Sequence, residues 1–281
     1  MKEKINGNTK IYGIIGFPVK HSFSPRMHNA AFYKLNMNAT YLPFPVKPGS
    51  IPQAIKGIKA LNILGFNVTI PHKNSIIKYL DEITPIARNV GAVNTVRNIN
   101  GRLIGTNTDV AGFIRSLKEL DFSPLKKNIG LIGAGGSARA LIAGLAEAGA
   151  SQILIFNRTL DNAKRLEIEF SKNFPTTNIK PLPLEEINNP HLDLLVNSSS
   201  VGLKPNESPI DLNLNHNIKH VVDIIYNPSK TKLIKQAEKL GIPNINGLGM
   251  LLYQGCESFK FWTNRPAPES TMQNQLLNLE N

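Results

Sequence analysis

The sequence predicts an α/β protein built as two domains. Short apolar and β-branched runs alternate with helix-patterned segments along the chain, which argues for mostly parallel sheets joined by crossover helices. The 281 residues fit one large domain or two small ones. The alternation falls into two series with different motifs: polar side chains at strand ends before residue 110, and a glycine-rich strand-to-helix turn after it.

In the first series, Ile11–Ile15 reads as a strand and Pro25–Leu35 as a helix. Thr40–Phe44 is a short extended run closed by Pro45. Ile51–Leu61 reads as a helix behind a possible N-cap, Ser50, and Ile63–Val68 as the next strand. Ala92–Ile99 and Arg102–Thr106 flank Asn100-Gly101, a dipeptide suited to a tight hairpin turn because both positions take positive φ. The second series starts with a helix over Thr108–Leu120, then strand Asn128–Ile132, helix Ser137–Ala148, strand Gln152–Phe156 and helix Leu160–Ser171. Pro175–Pro190 is rich in Pro and Asn and is expected to be loop. Leu192–Val196 and His220–Ile225 are further strands, and Lys230–Leu240 is a helix ended by Gly241. Met250–Trp262 and Ser270–Leu279 are the last helices, with Cys256 and Trp262 expected to pack. The boundary is placed near residue 110, with a return to the first domain near Gly247.

Composition narrows the function. Apolar residues are 41% and charged residues 19%, enough for a sizeable core. No apolar run approaches the roughly 20 residues that span a bilayer, and the charged start Met1-Lys2-Glu3-Lys4 leads no signal-like stretch. The lone Cys256 excludes an intrachain disulfide and fits a reducing compartment, so the cytoplasm is expected. The net charge of +12 suits anionic partners, but no aromatic–basic or Cys/His nucleic-acid motif accompanies it. Nucleic-acid binding is therefore not expected. The six histidines show no ligand spacing, so no metal is expected either, and His21 and His28 are read as structural.

The most interpretable segment is Ile129–Ala140. A short apolar strand enters Gly133-Ala134-Gly135-Gly136-Ser137-Ala138, and a helix follows. Gly133, Gly135 and Ala138 fit G-x-G-x-x-G/A: a tight turn, a close backbone approach to pyrophosphate, and close helix–strand packing. The helix N-terminus would face the phosphates. At the end of the second strand, NAD-binding versions place an acid for the ribose 2′-hydroxyl, and NADP-binding versions an arginine for the 2′-phosphate. Here the residues are Asn157-Arg158-Thr159, so NADP is expected.

Four other motifs lie in residues 16–112. Gly16–Asn29 places Ser22 and Ser24 just before a helix, where they could hold a carboxylate; spacing alone favours Ser24 as a simple N-cap with Pro25 first in the helix. Asn67-Val68-Thr69-Ile70-Pro71-His72-Lys73 follows a strand and is expected to open a helical segment. Gly91-Ala92-Val93-Asn94-Thr95 and Gly105–Gly112, which contains Asp109, also put polar groups at strand ends, where open α/β sheets bind ligands.

Taken together and in order, these segments resemble the shikimate dehydrogenase family over nearly the whole chain. Asp223-Ile224-Ile225-Tyr226-Asn227-Pro228 and Gly249–Gly255 add to the resemblance. It implies two α/β domains with a cleft between them: residues 1–109, rejoined by 247–281, for substrate, and a Rossmann-type domain, 110–246, for NADP. It implies Lys73 as catalytic acid/base with Asp109 as its partner. Ser22 and Ser24 match the hydroxyls that hold the substrate carboxylate. Asn67, Thr69, Asn94, Tyr226 and Gln254 match groups around the ring hydroxyls. Gly133, Ala134, Gly135, Gly136, Ser137, Asn157, Arg158, Thr159 and Gly249 match the cofactor side. The implied reaction interconverts shikimate and 3-dehydroshikimate, in a monomer or homodimer.

Two positions depart from the family pattern. A second basic residue often stands four after the arginine; here it is Asn162, with Lys164 and Arg165 further on. Relatives that also oxidise quinate often carry an acid directly after N-R-x; here Leu160 stands there and Asp161 follows. A quinate/shikimate dehydrogenase using NAD or both cofactors is the alternative, and a non-catalytic NADPH-binding protein a third reading.

Overall fold

Strand β1 (Lys10–Gly16) is buried toward its C-terminal end, as its apolar run requires, and pairs on both sides. Its partners, β2 (Ala39–Pro45) and β3 (Gly65–Val68), both run parallel to it. The computed structural model describes residues 5–204, 206–212 and 217–277. The chain divides into two units, Met1–Thr108 with Leu252–Asn281, and Asp109–Leu251.

The first unit carries α1 (Ser24–Lys34), α2 (Ile51–Ala60), β4 (Glu82–Ile83), α3 (Pro85–Val90), β5 (Thr95–Ile99) and β6 (Arg102–Thr106). Its six-stranded sheet has the order β2-β1-β3-β5-β6-β4. The sheet is mostly parallel, as expected, with one reversed strand: β5 runs antiparallel to both β3 and β6. The hairpin at Asn100-Gly101, whose φ values of 52° and 86° suit the predicted turn, reverses the chain between β5 and β6. A core of Ile15, Phe66, Val68, Ile76, Val93, Val96 and Leu103 fills one face.

The second unit contains α4 (Asp109–Ser116), β7 (Asn128–Ile132), α5 (Gly136–Glu147), β8 (Gln152–Asn157), α6 (Leu160–Asn173) and β9 (Asn178–Pro183). It continues with β10 (Leu194–Asn197), β11 (Val221–Asp223), α7 (Lys232–Lys239) and β12 (Asn244–Ile245). Its sheet is parallel throughout, in the order β12-β11-β10-β7-β8-β9. Read from β9, that is 3-2-1-4-5-6, the doubly wound order with its switch point between β7 and β10. Strand β9 runs through a segment expected to be loop. Pro181 and Pro183 disguise it, and they are tolerated because β9 is an edge strand.

Helices α8 (Leu248–Thr263) and α9 (Glu269–Leu277) end the described chain. The expected last helix reaches residue 279, so its final two positions lie outside the described residues, as do the charged residues 1–4. Cys256 is buried with its Sγ 3.9 Å from Met272 Sδ, and buried Trp262 donates from Nε1 to the Val96 carbonyl at 2.9 Å. Both pack, as expected. Among the described residues, no helix is long and apolar enough to cross a membrane, and no His/Cys/Asp/Glu group could hold a metal ion. On and beside α7, Lys230 pairs with Glu238 and Lys232 with Asp211.

His21 is exposed, but His28 is fully buried and neither of its ring nitrogens has a hydrogen-bond partner. It stacks on Tyr41 at 4.6 Å between centroids and lies 5.1 Å from the Trp262 ring. Burial pushes its pKa down to about 3. In the unfolded chain the imidazole titrates near 6.5, so between these values the unfolded state holds the extra proton. His28 therefore lowers stability as pH falls through that window, by about 1.4 kcal/mol per pH unit. His28→Phe keeps the stacking and cannot titrate. Urea midpoints at about pH 7 and about pH 4.5 should show the wild type losing roughly 3 kcal/mol more than the variant. Any overpacking by Phe is independent of pH and drops out of the comparison. Equal losses would mean that His28 is protonated in the fold.

Candidate active site

In the first unit, the sequence-predicted polar residues gather at the carboxyl ends of β1 and β3 and beside β5. The Thr69 N–H donates to the Ile15 carbonyl at 2.9 Å, and the Phe17 N–H to the Ile70 carbonyl at 2.9 Å. These bonds tie the Gly16–Ser24 loop to the Asn67–Lys73 loop. Gly16 is required there, because a Cβ would collide with the Thr69 side chain. Ser24 is not the N-cap that spacing favours. Phe23 holds that position, no side chain caps the helix, and Ser24 is its buried first residue with Pro25 behind it. The Ser22 hydroxyl instead accepts the Ser24 N–H at 3.3 Å. The two serines are thus held as a local pair.

The segment after Pro71 is not a regular helix, contrary to expectation. Residues 71–76 are turns, followed by a short 3-10 helix over Ile77–Tyr79. The Lys73 carbonyl accepts the Val93 N–H at 2.8 Å, which joins its turn to the strand-end loop of Asn94. Lys73 is half-buried.

Asn67, Asn94 and Gln254 are buried. Asn67 Oδ1 accepts the Tyr41 hydroxyl at 2.7 Å, and its Nδ2 faces the Asn94 carbonyl at 3.2 Å and the Thr95 hydroxyl at 3.0 Å. Asn94 Oδ1 accepts the Thr108 N–H at 2.8 Å. Sequence reading includes Thr95 and Thr108 among the strand-end polar groups but misses Tyr41 and Ser258, which also hold these amides, because separations of up to 191 positions leave no local pattern.

In the second unit, β7 enters the glycine turn as predicted. Gly133 has φ of +103°, and a Cβ there would sit 3.0 Å from Ser198 Oγ and 3.1 Å from the Ser199 nitrogen. Gly135 caps α5 and has open space around it. No acidic residue occupies the first turn of α5 and no side chain caps it, so Ala134–Ser137 present backbone N–H groups suited to a pyrophosphate. The residues fit a dinucleotide. Asn157 Nδ2 donates to the Thr159 carbonyl at 2.7 Å and shapes the turn in which Arg158 is exposed. Arg139 is already committed: it pairs with Glu169 and lies over the Phe170 ring at 5.3 Å. Arg165 Nη2 donates to Asn162 Oδ1 at 2.8 Å, and Lys164 lies 3.8 Å from Asp161.

Asp109 starts α4 and is buried. Tyr226 is half-buried, and burial raises its phenol pKa. The preceding residues are fixed by Asp223, which accepts from Asn197 Nδ2 (3.0 Å), the Thr231 hydroxyl (2.7 Å) and the Ile225 N–H (3.1 Å). Burial raises the Asp223 pKa against the lowering effect of these bonds. Gly249 packs against the Glu119 carboxylate, which a Cβ there would displace.

A 3-2-1-4-5-6 parallel unit with a glycine phosphate turn, in one chain with a second α/β unit bearing polar strand ends, defines a two-domain dinucleotide-dependent oxidoreductase. Family models match in three places: a shikimate dehydrogenase substrate binding domain over residues 14–96, a shikimate/quinate 5-dehydrogenase over 116–201, and a shikimate 5′-dehydrogenase C-terminal domain over 247–277. The chain belongs to the shikimate dehydrogenase family. A shikimate dehydrogenase (NADP+) from Desulforamulus reducens is 43% identical, over 97% of this chain and 96% of its own length. A crystal structure of a shikimate dehydrogenase in complex with NADP+ superposes with a TM-score of 0.90 at 41% identity, covering 99% of this chain and 98% of that one. The Thermus thermophilus enzyme in complex with NADP(H) and shikimate gives 0.86 at 34% identity, covering 96% and 99%.

Proposed function

We propose that this chain catalyses the reversible reduction of 3-dehydroshikimate to shikimate with NADPH. The observation that carries the reading is the likeness along 97% of the chain to an NADP-dependent shikimate dehydrogenase, with the polar strand ends and the glycine turn all present. Residues 1–109 with 247–281 take the substrate, and 110–246 the cofactor. NADPH supplies the hydride for the ketone carbon.

Lys73, as ammonium, stabilises the developing alkoxide and donates a proton from Nζ to that oxygen. Asp109 is its partner carboxylate. The Ser22–Ser24 pair holds the substrate carboxylate through its hydroxyls. Asn67, Thr69, Asn94, Tyr226 and Gln254 surround the ring hydroxyls; Asn67 does so through the second lone pair of Oδ1, since its amide hydrogens face protein acceptors. Gly133, Ala134, Gly135, Gly136 and Ser137 receive the pyrophosphate. Asn157, Arg158 and Thr159 receive the adenosine 2′-phosphate, and Gly249 lets the backbone come close to the cofactor. The enzyme works in the cytoplasm, as a monomer or homodimer, without nucleic acid.

Steady-state oxidation of shikimate and of quinate, followed by nicotinamide absorbance with NADP and NAD in parallel, tests this. Turnover of shikimate should be robust with NADP and weak with NAD. Comparable rates with NAD, or with quinate, would move the protein to the quinate/shikimate type. NADPH binding without turnover would overturn the reading.

A further inference from the structure

The amides of Asn67 and Asn94 are held by an inner layer of hydroxyls that the reaction itself does not require. Each amide can adopt only one orientation. The Thr108 N–H can only donate, so the Asn94 atom it meets at 2.8 Å is Oδ1. The Asn94 carbonyl can only accept, so the Asn67 atom facing it at 3.2 Å is Nδ2. Two fully buried hydroxyls, Thr95 and Ser258, then join the two amides. Their oxygens are 2.8 Å apart.

One assignment gives every hydroxyl hydrogen in this layer, and both amide hydrogens of Asn67, an acceptor, and places a hydrogen in each of the 2.8 and 2.9 Å oxygen contacts. The Ser258 hydroxyl donates to the Gln254 carbonyl one turn earlier on α8, at 2.9 Å. Its lone pairs accept from the Thr95 hydroxyl at 2.8 Å and the Thr108 hydroxyl at 3.1 Å. The Thr95 hydroxyl donates to Ser258 Oγ at 2.8 Å and accepts at 3.0 Å from Asn67 Nδ2, whose other hydrogen goes to the Asn94 carbonyl. Asn94 Nδ2 donates to the Thr108 hydroxyl at 3.0 Å. Nothing in this layer is exposed, so an unmatched group would be left without water and the amides would turn to find other partners.

We propose that the Thr95–Ser258 hydroxyl pair consists of positioning residues that set the orientation of Asn67 and Asn94 toward the ring hydroxyls and tie both to the helix carrying Gln254. The proposal rests on the shikimate dehydrogenase reading above. The pair acts on recognition of the substrate ring and leaves the cofactor side untouched.

Thr95→Val keeps the side-chain shape and removes the hydroxyl, whereas Thr95→Ser keeps the hydroxyl and removes a methyl. Ser258→Ala removes the second hydroxyl. In steady-state shikimate oxidation, Thr95→Val and Ser258→Ala should each raise KM for shikimate about tenfold, with KM for NADP changed less than about twofold. Thr95→Ser should stay close to wild type in both constants. A packing role alone predicts another pattern: Tm falls in all three variants, Thr95→Ser is impaired by its missing methyl, and KM for shikimate is unchanged. That pattern would overturn the proposal and leave the proposed reaction standing. If Thr95→Val does not fold, Ser258→Ala against Thr95→Ser carries the same comparison. A wild-type protein that does not turn over shikimate would overturn both readings.

Discussion

Lys73→Ala should lower kcat for shikimate oxidation by about three orders of magnitude while leaving the Kd for NADP within about twofold. The motive is placement: a half-buried lysine in a turn tied to the Asn94 loop by the Val93–Lys73 backbone bond of 2.8 Å, beside the Thr69 strand end. The other lysine in these strand-end loops, Lys20 in Gly16–Ser24, is exposed. In the oxidation direction, the shikimate hydroxyl loses its proton as hydride leaves the same carbon, so a base must stand at that oxygen. Lys73→Arg separates charge from proton transfer. A guanidinium keeps the positive charge but does not give up its proton at neutral pH, so kcat should stay low while KM for shikimate recovers. Near-wild-type turnover in the alanine variant would remove Lys73 from the chemistry. A fall in kcat matched by loss of NADP binding would mean that the turn itself had collapsed.

The parts of this site that can be read in the sequence are those in which local chemistry decides local structure. Asn100-Gly101 announces its hairpin through the positive φ that both residues adopt. Gly133 announces the phosphate turn for the same reason, reinforced by the close approach of Ser198 and Ser199. Strand β9 is hidden because Pro181 and Pro183 read as loop unless the strand is known to lie at an edge, and edge position is a property of the whole sheet. The start of helix α1 misleads for a related reason. A serine before proline looks like a cap, but the helix starts one residue earlier and buries it. The segment around Lys73 reads as helical because it follows a strand, yet its local backbone bonds make only separate turns, and the Lys73 carbonyl accepts from Val93 in the neighbouring strand-end loop. Least legible is the hydroxyl layer around Asn67 and Asn94. Its members come from β2, β5, the residue before α4 and α8, and only the fold brings them together.

Arg158→Ala should raise KM for NADP about thirtyfold and change KM for NAD less than about twofold, because only NADP carries the 2′-phosphate. The prediction is sharper than the sequence alone allows, since the structure shows what the neighbouring cations do. Arg139 pairs with Glu169 and covers the Phe170 ring. Lys164 lies against Asp161, which partly offsets the one acid near the turn. Arg165 holds Asn162, at the position where a second basic residue often stands in the family. Arg158 is the exposed guanidinium left at the end of β8, in a turn shaped by the Asn157–Thr159 bond. Its interaction with phosphate should be sensitive to salt, so the NADP/NAD preference should narrow as ionic strength rises. In Arg158→Ala the preference should be small at every salt concentration. Equal weakening of both cofactors would assign Arg158 to shaping the adenosine pocket. A preference for NADP that survives the substitution would transfer the phosphate to Arg165, and Arg165→Ala in the same background would then have to abolish it.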